Sequence, residues 1–375
     1  MRIVIAPDSF KGSATAAEVT KALADGWLSV RPGDEVVELP MADGGEGTLA
    51  AFELAVPGAR RMPVRVTGPD GRPIEASWTL LPATPSTPGG TGVVELAETS
   101  GLPLMSRPDP LHAHTLGFGQ AIAAALDHGV SRLLLGIGGS ASTDGGGGVL
   151  VALGARLLND EGMSVVLGGG ALPEVASLDV GRLRALPPQG ALVLSDVTNP
   201  LVGPSGAAHV FGEQKGADAA QRVALDAALA HWAGVVAAAK PHVDPATPGA
   251  GAAGGTGFGL LAWGAELASG AATVADAIGL SDALAGADLV ITGEGRYDAQ
   301  TDGGKAPAIV AGRARELGID VALVAGSLAV EPSGFAASAS LTQLAGDVES
   351  AIADPVTWLR AAGAQLAAEH AVDQG

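Results

Sequence analysis

Cysteine is absent from this chain of 375 residues. That excludes disulfides, thiolate zinc sites and cysteine nucleophiles, and it makes the cytoplasm the expected compartment. Positive charge is also scarce. Lysine and arginine together number 21 against 40 acidic residues, a formal net charge of −19. Such a balance argues against a nucleic-acid backbone or an anionic membrane as partner. No stretch of 18 apolar residues lacks glycine or a charge, so no transmembrane helix is expected. The opening MRIVIAPDSFK has too short an apolar run for a signal peptide before Asp8 interrupts it, and it reads as a first strand.

Familiar catalytic signatures are missing too. Gly304-Lys305 resembles the end of a Walker A loop, but Ala299 and Ala306 stand where that motif needs Gly and Ser or Thr. Gly203-Pro204-Ser205-Gly206 is followed by Ala207, so there is no nucleophile elbow. His112 and His114 lie near a proline-rich turn with no H-E-x-x-H, which leaves zinc little support. Lysine itself is rare, with Lys11, Lys21, Lys215, Lys240 and Lys305 making up the whole set. Three of them sit beside glycine, in FKGS, QKGA and GGKA. In a chain that otherwise prefers arginine, that placement suggests a use for a compact ammonium. The plainer reading is chance survival on solvated loops.

Apolar residues make up 47% of the chain, so it is globular. Its length suggests about two or three domains. The front half repeats strand, loop and helix. Arg2–Ala6 is a buried-strand run, and Thr15 and Glu18 form a T-x-x-E capping box. Val19, Leu23 and Trp27 then fall on one helical face. Glu35–Pro40 is the next strand, and the helix after it buries Leu49, Phe52 and Val56. Units of this length imply a parallel sheet covered by helices. The texture changes at Val64–Leu81, where two alternating runs flank a PDG turn and predict an antiparallel hairpin. Residues 240–259 are rich in Pro, Gly and Ala and read as a loop or linker. The α/β rhythm returns with a strand at 288–292, a helix at 306–317 and a last helix near Pro355–His370. The expected fold class is therefore α/β with two α/β domains. Residues 1–64 and 284–375 form a parallel, flavodoxin- or Rossmann-like domain, and 65–283 form an inserted mixed domain, with the active site expected in the cleft between them.

In open α/β sheets, ligands bind outside the carboxyl ends of strands. Five loops there carry chemistry. They supply Asp8, Ser9 and Lys11; Asp43 and Glu46; Gly138, Gly139, Ser140 and Asp144; Asp196 and Asn199; and Glu294, Asp298 and Lys305. Glycines let backbone N–H groups approach anionic oxygens. Carboxylates and Asn suit Mg²⁺, and lysines offset developing charge on phosphate. These are the parts that phosphoryl transfer needs. Each loop alone is weak evidence. GIGGSA (136–141) fits the dinucleotide fingerprint, but so does GFGLLA (257–262), and STDGGGG delays the helix that should hold the pyrophosphate. Any single aspartate can equally be a helix cap or Asx turn. Tyr297 can stack on a base or simply pack.

With these loops in hand, the chain resembles the type-1 bacterial glycerate kinase family. The likeness runs through APDSFKGSATA, PMADGGEGT, GIGGSASTDGG, SDVTNPLVGPSGAAHVFGEQKGA, GAAGGTGFGL and GADLVITGEGRYDAQTDGGKAP, which span nearly the whole chain in order. The resemblance implies a two-domain kinase that phosphorylates glycerate from ATP with Mg²⁺, typically at the 2-hydroxyl. A related hydroxy acid or 3-phosphorylation is the near alternative. An NAD(P)-dependent oxidoreductase and a non-catalytic small-acid sensor are remoter ones. Under the kinase reading, Gly138, Gly139, Ser140, Asp144, Gly254, Gly255, Thr256, Gly257 and Glu294 are expected at the nucleotide. Asp196 and Asp298 are expected to activate the hydroxyl or hold Mg²⁺. Lys11, Lys215 and Lys305 would stabilise the transferring group. Asp8, Ser9, Asp43, Glu46, Asn199, Arg65 and Arg296 are expected around glycerate. Partners are ATP and the small acid, with neither nucleic acid nor membrane; the oligomeric state is open, a homodimer included. The chain departs from the family's pattern at Thr143, Glu213, Tyr297 and Asp302-Gly303, and the changes at 297–303 bear on substrate preference.

Overall fold

The structure, a computed structural model, describes residues 1–298 and 305–372. Asp302 and Gly303 lie outside the described residues. The chain divides into two compact units. The first comprises Met1–Asp43, Ala50–Pro57 and Ala271–Gly375; the second comprises Gly44–Leu49 and Gly58–Gly270.

The first unit is built on a parallel sheet of β1 (Arg2–Ile5), β2 (Glu35–Glu38), β11 (Leu289–Tyr297), β12 (Asp320–Leu328) and β13 (Ala337–Ser340). Their order is β13-β12-β11-β1-β2. The chain winds one way from β1 to β2 and the other way from β11 to β13. The strand order therefore reverses between β1 and β11, the place where open sheets bind ligands. The expected capping box is present. Thr15 Oγ1 accepts from Glu18 N at 3.3 Å, and Glu18 Oε2 accepts from Thr15 N at 2.9 Å. The helix Ala16–Val30 buries Val19, Leu23 and Trp27 completely. Its partner is the helix Pro355–Val372, which contributes Leu359, Ala362 and Leu366 to the same core. The two helices meet at glycine, since a Cβ on Gly26 would lie 2.1 Å from the Arg360 carbonyl oxygen.

The second unit holds a six-stranded mixed sheet. Its strands are β3 (Arg60–Thr67), β4 (Pro73–Leu81), β5 (Thr91–Glu95), β6 (Arg132–Gly136), β9 (Ala191–Leu194) and β10 (Glu266–Ala268). The order is β10-β9-β6-β5-β4-β3. The strands β7 (Arg156–Leu158) and β8 (Ser177–Asp179) form a separate ribbon. The predicted hairpin is β3–β4, antiparallel from Arg60↔Leu80 to Thr67↔Pro73, and β5, β6, β9 and β10 run parallel. The α/β class read from the sequence is the class observed. One helix among the described residues, Ala219–Ala239, is long and apolar enough to cross a membrane. Here Leu225, Leu229, Trp232 and Val236 bury one face of it in this unit's core.

Two local readings need correction. The glycine-rich stretch read as a loop to residue 259 contains the helix Ala252–Trp263. It is kinked, with Ala253, Gly254 and Gly255 in left-handed conformation at φ 54°, 68° and 86°. Ala253 is the only non-glycine residue with positive φ among the described residues. The glycines read as linker composition instead permit this kink and close packing around it. The second correction is β11. The sequence run ends at Thr292, but the strand continues to Tyr297, because β12 pairs with it as far as Tyr297↔Leu328. Gly293 allows the fit, since a Cβ there would lie 2.1 Å from the Val324 carbonyl oxygen.

Candidate active site

In the first unit, the carboxyl ends of β1 and β11 enclose a cavity of about 300 Å³. Asp8, Lys11, Asp43, Glu294, Asp298 and Lys305 line it together. Backbone hydrogen bonding sets them there. Asp8 N donates to the Gly293 carbonyl at 2.8 Å, which ties the loop after β1 to the middle of β11. Gly295 lets the Phe10–Lys11 turn come close, as a Cβ there would lie 3.3 Å from Phe10 Cα. Because β11 continues as a strand, Glu294 and Arg296 fall on one face and both line the cavity. Glu294 is buried at 8% exposed, while the longer Arg296 stays largely exposed.

The charges in this cavity are interleaved. Lys11 Nζ lies 2.9 Å from Asp43 Oδ2. Lys305 Nζ lies 3.7 Å from Glu294 Oε2 and 3.9 Å from Asp298 Oδ1. Arg296 Nε is 3.9 Å from Asp298 Oδ2. Asp8 is buried and accepts a hydrogen bond from Ser9 N at 2.7 Å. Burial, then the negative charge of Asp43, pushes the Asp8 carboxyl up to about 7, against the pull of Lys11 and the Ser9 N–H. A carboxyl poised there can take up or release a proton at neutral pH. Tyr297 does not line this cavity; it is 3% exposed and packs edge-on to Phe335 at 5.9 Å between ring centres.

The second unit gathers the other predicted loops. Lys215 is buried, and its Nζ donates to Ser140 Oγ at 2.7 Å and to the Ser142 carbonyl. Burial pulls its ammonium down to about 7, opposed by the charge of Asp144. Asp144 is fully engaged inside the protein. Its Oδ2 accepts from Thr115 N, Thr115 Oγ1 and Gly148 N at 2.9, 2.8 and 3.1 Å, and its Oδ1 from Gly146 N at 3.3 Å. The loop it braces lies against the kinked helix through glycine. A Cβ on Gly254 would lie 2.0 Å from the Ser142 carbonyl oxygen, and one on Gly255 would lie 2.8 Å from Gly145 Cα. Gly254, Gly255, Thr256 and Gly257 are all buried, whereas Gly138 is half-buried and Gly139 exposed. Asp196 is half-buried, and its Oδ1 accepts from Ser269 Oγ and Gly270 N, each at 2.9 Å. Asn199 Nδ2 donates to the Ser205 carbonyl at 2.7 Å, and Glu46 is exposed. Arg65 is not brought to this group. It stands on the edge strand β3, exposed, 3.6 Å from Glu75.

Glu95 escaped the sequence reading. At the carboxyl end of β5 it is 2% exposed, and its two oxygens accept from Gly47 N at 3.1 Å and Leu49 N at 3.0 Å. Burial raises its carboxyl to about 7 in spite of those two donors. It thereby holds the DGGEG segment in place at a helix start. The signal was present, since an acidic residue closes the otherwise buried strand TGVVE. Among the described residues, no three His, Cys, Asp or Glu side chains form a ready-made metal cage.

Known proteins resemble this chain over nearly its whole length. The model of the "Glycerate kinase family" matches residues 3–371. The glycerate kinase of Bacillus subtilis (strain 168) is 42% identical over 98% of this chain and 97% of its own. The glycerate 2-kinase of Escherichia coli (strain K12) is 44% identical over 88% and 86%. A crystal structure named for glycerate kinase 2 of Salmonella typhimurium LT2 superposes with a TM-score of 0.83 at 39% identity, covering 100% of this chain and 99% of that one. The chain is a kinase and belongs to the glycerate kinase family.

Proposed function

We propose that this protein transfers the γ-phosphoryl group of ATP to the 2-hydroxyl of glycerate, assisted by Mg²⁺. The observation that carries the reading is the first-unit cavity at the strand-order reversal, where Lys11 and Lys305 stand among Asp8, Asp43, Glu294 and Asp298. Phosphoryl transfer asks a protein for positioning and charge stabilisation more than for covalent chemistry. Lys11 and Lys305 supply positive charge to the transferring group. Arg296, exposed at the cavity, is suited to the carboxylate of the acid, which it can grip with two parallel N–H groups. Asp8, poised near neutrality, accepts the proton of the attacking hydroxyl. Lys215 serves by holding Ser140 and Ser142 rather than by touching phosphate.

Mg²⁺ prefers one or two carboxylates and completes its shell with water and phosphate oxygens. The first-unit cavity offers such carboxylates, and Asp298 would hold the ion there. When bound, it draws negative charge from the phosphate oxygens. Selection of the 2-hydroxyl follows the name of the Escherichia coli relative. A coupled ADP-release assay against glycerate, tartronate and hydroxypyruvate tests the reading. Release with glycerate, abolished by a chelator and restored by Mg²⁺, is the expected result. Nicotinamide-dependent absorbance change instead, or binding without ADP release, would replace it with an oxidoreductase or a sensor.

A further inference from the structure

The charged residues account for only part of the first-unit cavity. Leu341, Val348, Ala351 and Ile352 line it as well. They come from two short helices after β13, Leu341–Ala345 and Val348–Ala353. Leu341 and Ala351 are buried and form a fixed apolar base. Val348 and Ile352 are separated by one helical turn and so share a face. They are 53% and 56% exposed, an unusual state for two large apolar side chains that both face a cavity. The hydroxyl of Thr342 is already committed to the Gly326 carbonyl at 2.8 Å. Among the described residues this wall therefore offers a surface for an apolar, flat group and no charge for an acid. A three-carbon hydroxy acid has no such group, and a cavity of about 300 Å³ is the size that encloses a much larger molecule.

We propose that this wall is the nucleoside subsite of the phosphoryl donor, with the base laid against Val348 and Ile352 and the phosphates extending to Lys11 and Lys305. The assignment rests on reading this cavity as the phosphoryl-transfer site. Continuity selects the occupant: apolar wall and cations line one cavity, and a nucleoside triphosphate joins an apolar ring to a polyanion. A second copy of the chain would cover the wall without needing the cations beside it, and a longer acceptor acid on the wall would show as a rise in KM for the acid and not for ATP.

The test is the double variant Val348→Asp/Ile352→Asp, at two exposed positions. ADP binding to the intact protein is measured by calorimetry, and ADP release is measured with ATP and glycerate titrated separately. The expected result is a loss of ADP affinity and a rise in KM for ATP of about tenfold or more, with KM for glycerate and kcat within about threefold of the parent. Unchanged ADP affinity, or a rise confined to glycerate, overturns the proposal. If the double variant fails to fold by circular dichroism, Ile352→Ala replaces it, with a threefold loss of ADP affinity expected and no loss refuting. If the parent binds ADP but releases none from ATP with glycerate, the kinase reading of the cavity fails separately, and the calorimetry still decides the subsite.

Discussion

Lys215→Met isolates one buried charge whose energetic signature has a definite sign. In the folded chain the ammonium is pulled down to about 7 by burial, whereas a lysine in the unfolded chain keeps its ordinary value near 10.5. Between those two values the unfolded chain binds the proton and the folded chain does not. Stability must therefore rise with pH across this window, by about 1.4 kcal/mol per pH unit from this group alone. The full penalty of the buried charge applies at and below pH 7 and is relieved as pH approaches 10.5. Methionine has a similar length and no charge, so the variant lacks this rise. It also leaves the Ser142 carbonyl and Ser140 hydroxyl without their donor, a loss of about 1–3 kcal/mol for each group left unpaired. Between pH 7.5 and 9.5 the stability difference, parent minus variant, should grow by about 2.7 kcal/mol in favour of the parent. Urea titrations at several pH values measure it, followed by tryptophan fluorescence. Trp232 reports on the same unit, where its Nε1 donates to the Gly145 carbonyl. Parallel pH dependence in parent and variant would refute the argument, because a lysine with an ordinary titration contributes no such slope.

Other perturbations test separate parts of the account. Gly254→Ala places a Cβ 2.0 Å from the Ser142 carbonyl oxygen at φ +68°. Left-handed strain and overpacking together should cost about 2–5 kcal/mol, read as a lower melting temperature by calorimetry. Glu95→Ala removes the acceptor for Gly47 N and Leu49 N, and a loss of about 2–4 kcal/mol in urea is expected. Asp8→Asn should abolish the rise of kcat/KM with pH through about 7, the pH at which the parent's carboxyl loses its proton and can act as base. A retained limb near 7 would assign the proton elsewhere. Lys305→Ala should lower kcat by about 10² or more with unchanged circular dichroism; near-normal turnover would remove Lys305 from the machinery.

Local periodicity carried much of this fold. The capping box at Thr15, the apolar stripe Val19, Leu23 and Trp27, and the β3–β4 hairpin were legible because each depends on neighbours in sequence. The strand-end rule also picked Asp8, Lys11, Asp43, Glu294, Asp298 and Lys305, which do line one cavity. What stayed hidden depends on distant partners. β11 extends past Thr292 because β12 offers it a paired edge. The glycines at 254 and 255 resemble linker composition until the loop at 142–145 is seen packed on them. Asp144 and Lys215 resemble ligand-binding groups in sequence, yet both direct their hydrogen bonds into the protein. Sequence spacing cannot tell a carboxylate that awaits a ligand from one that holds two helix starts.

The most direct measurement of the central claim is phosphorus NMR of the products formed from ATP, Mg²⁺ and glycerate. The account predicts ADP and 2-phosphoglycerate in equal amounts, with Lys305→Ala forming both at least about 10²-fold more slowly. ADP release no faster than without glycerate, or a product phosphorylated at the 3-hydroxyl, would contradict it.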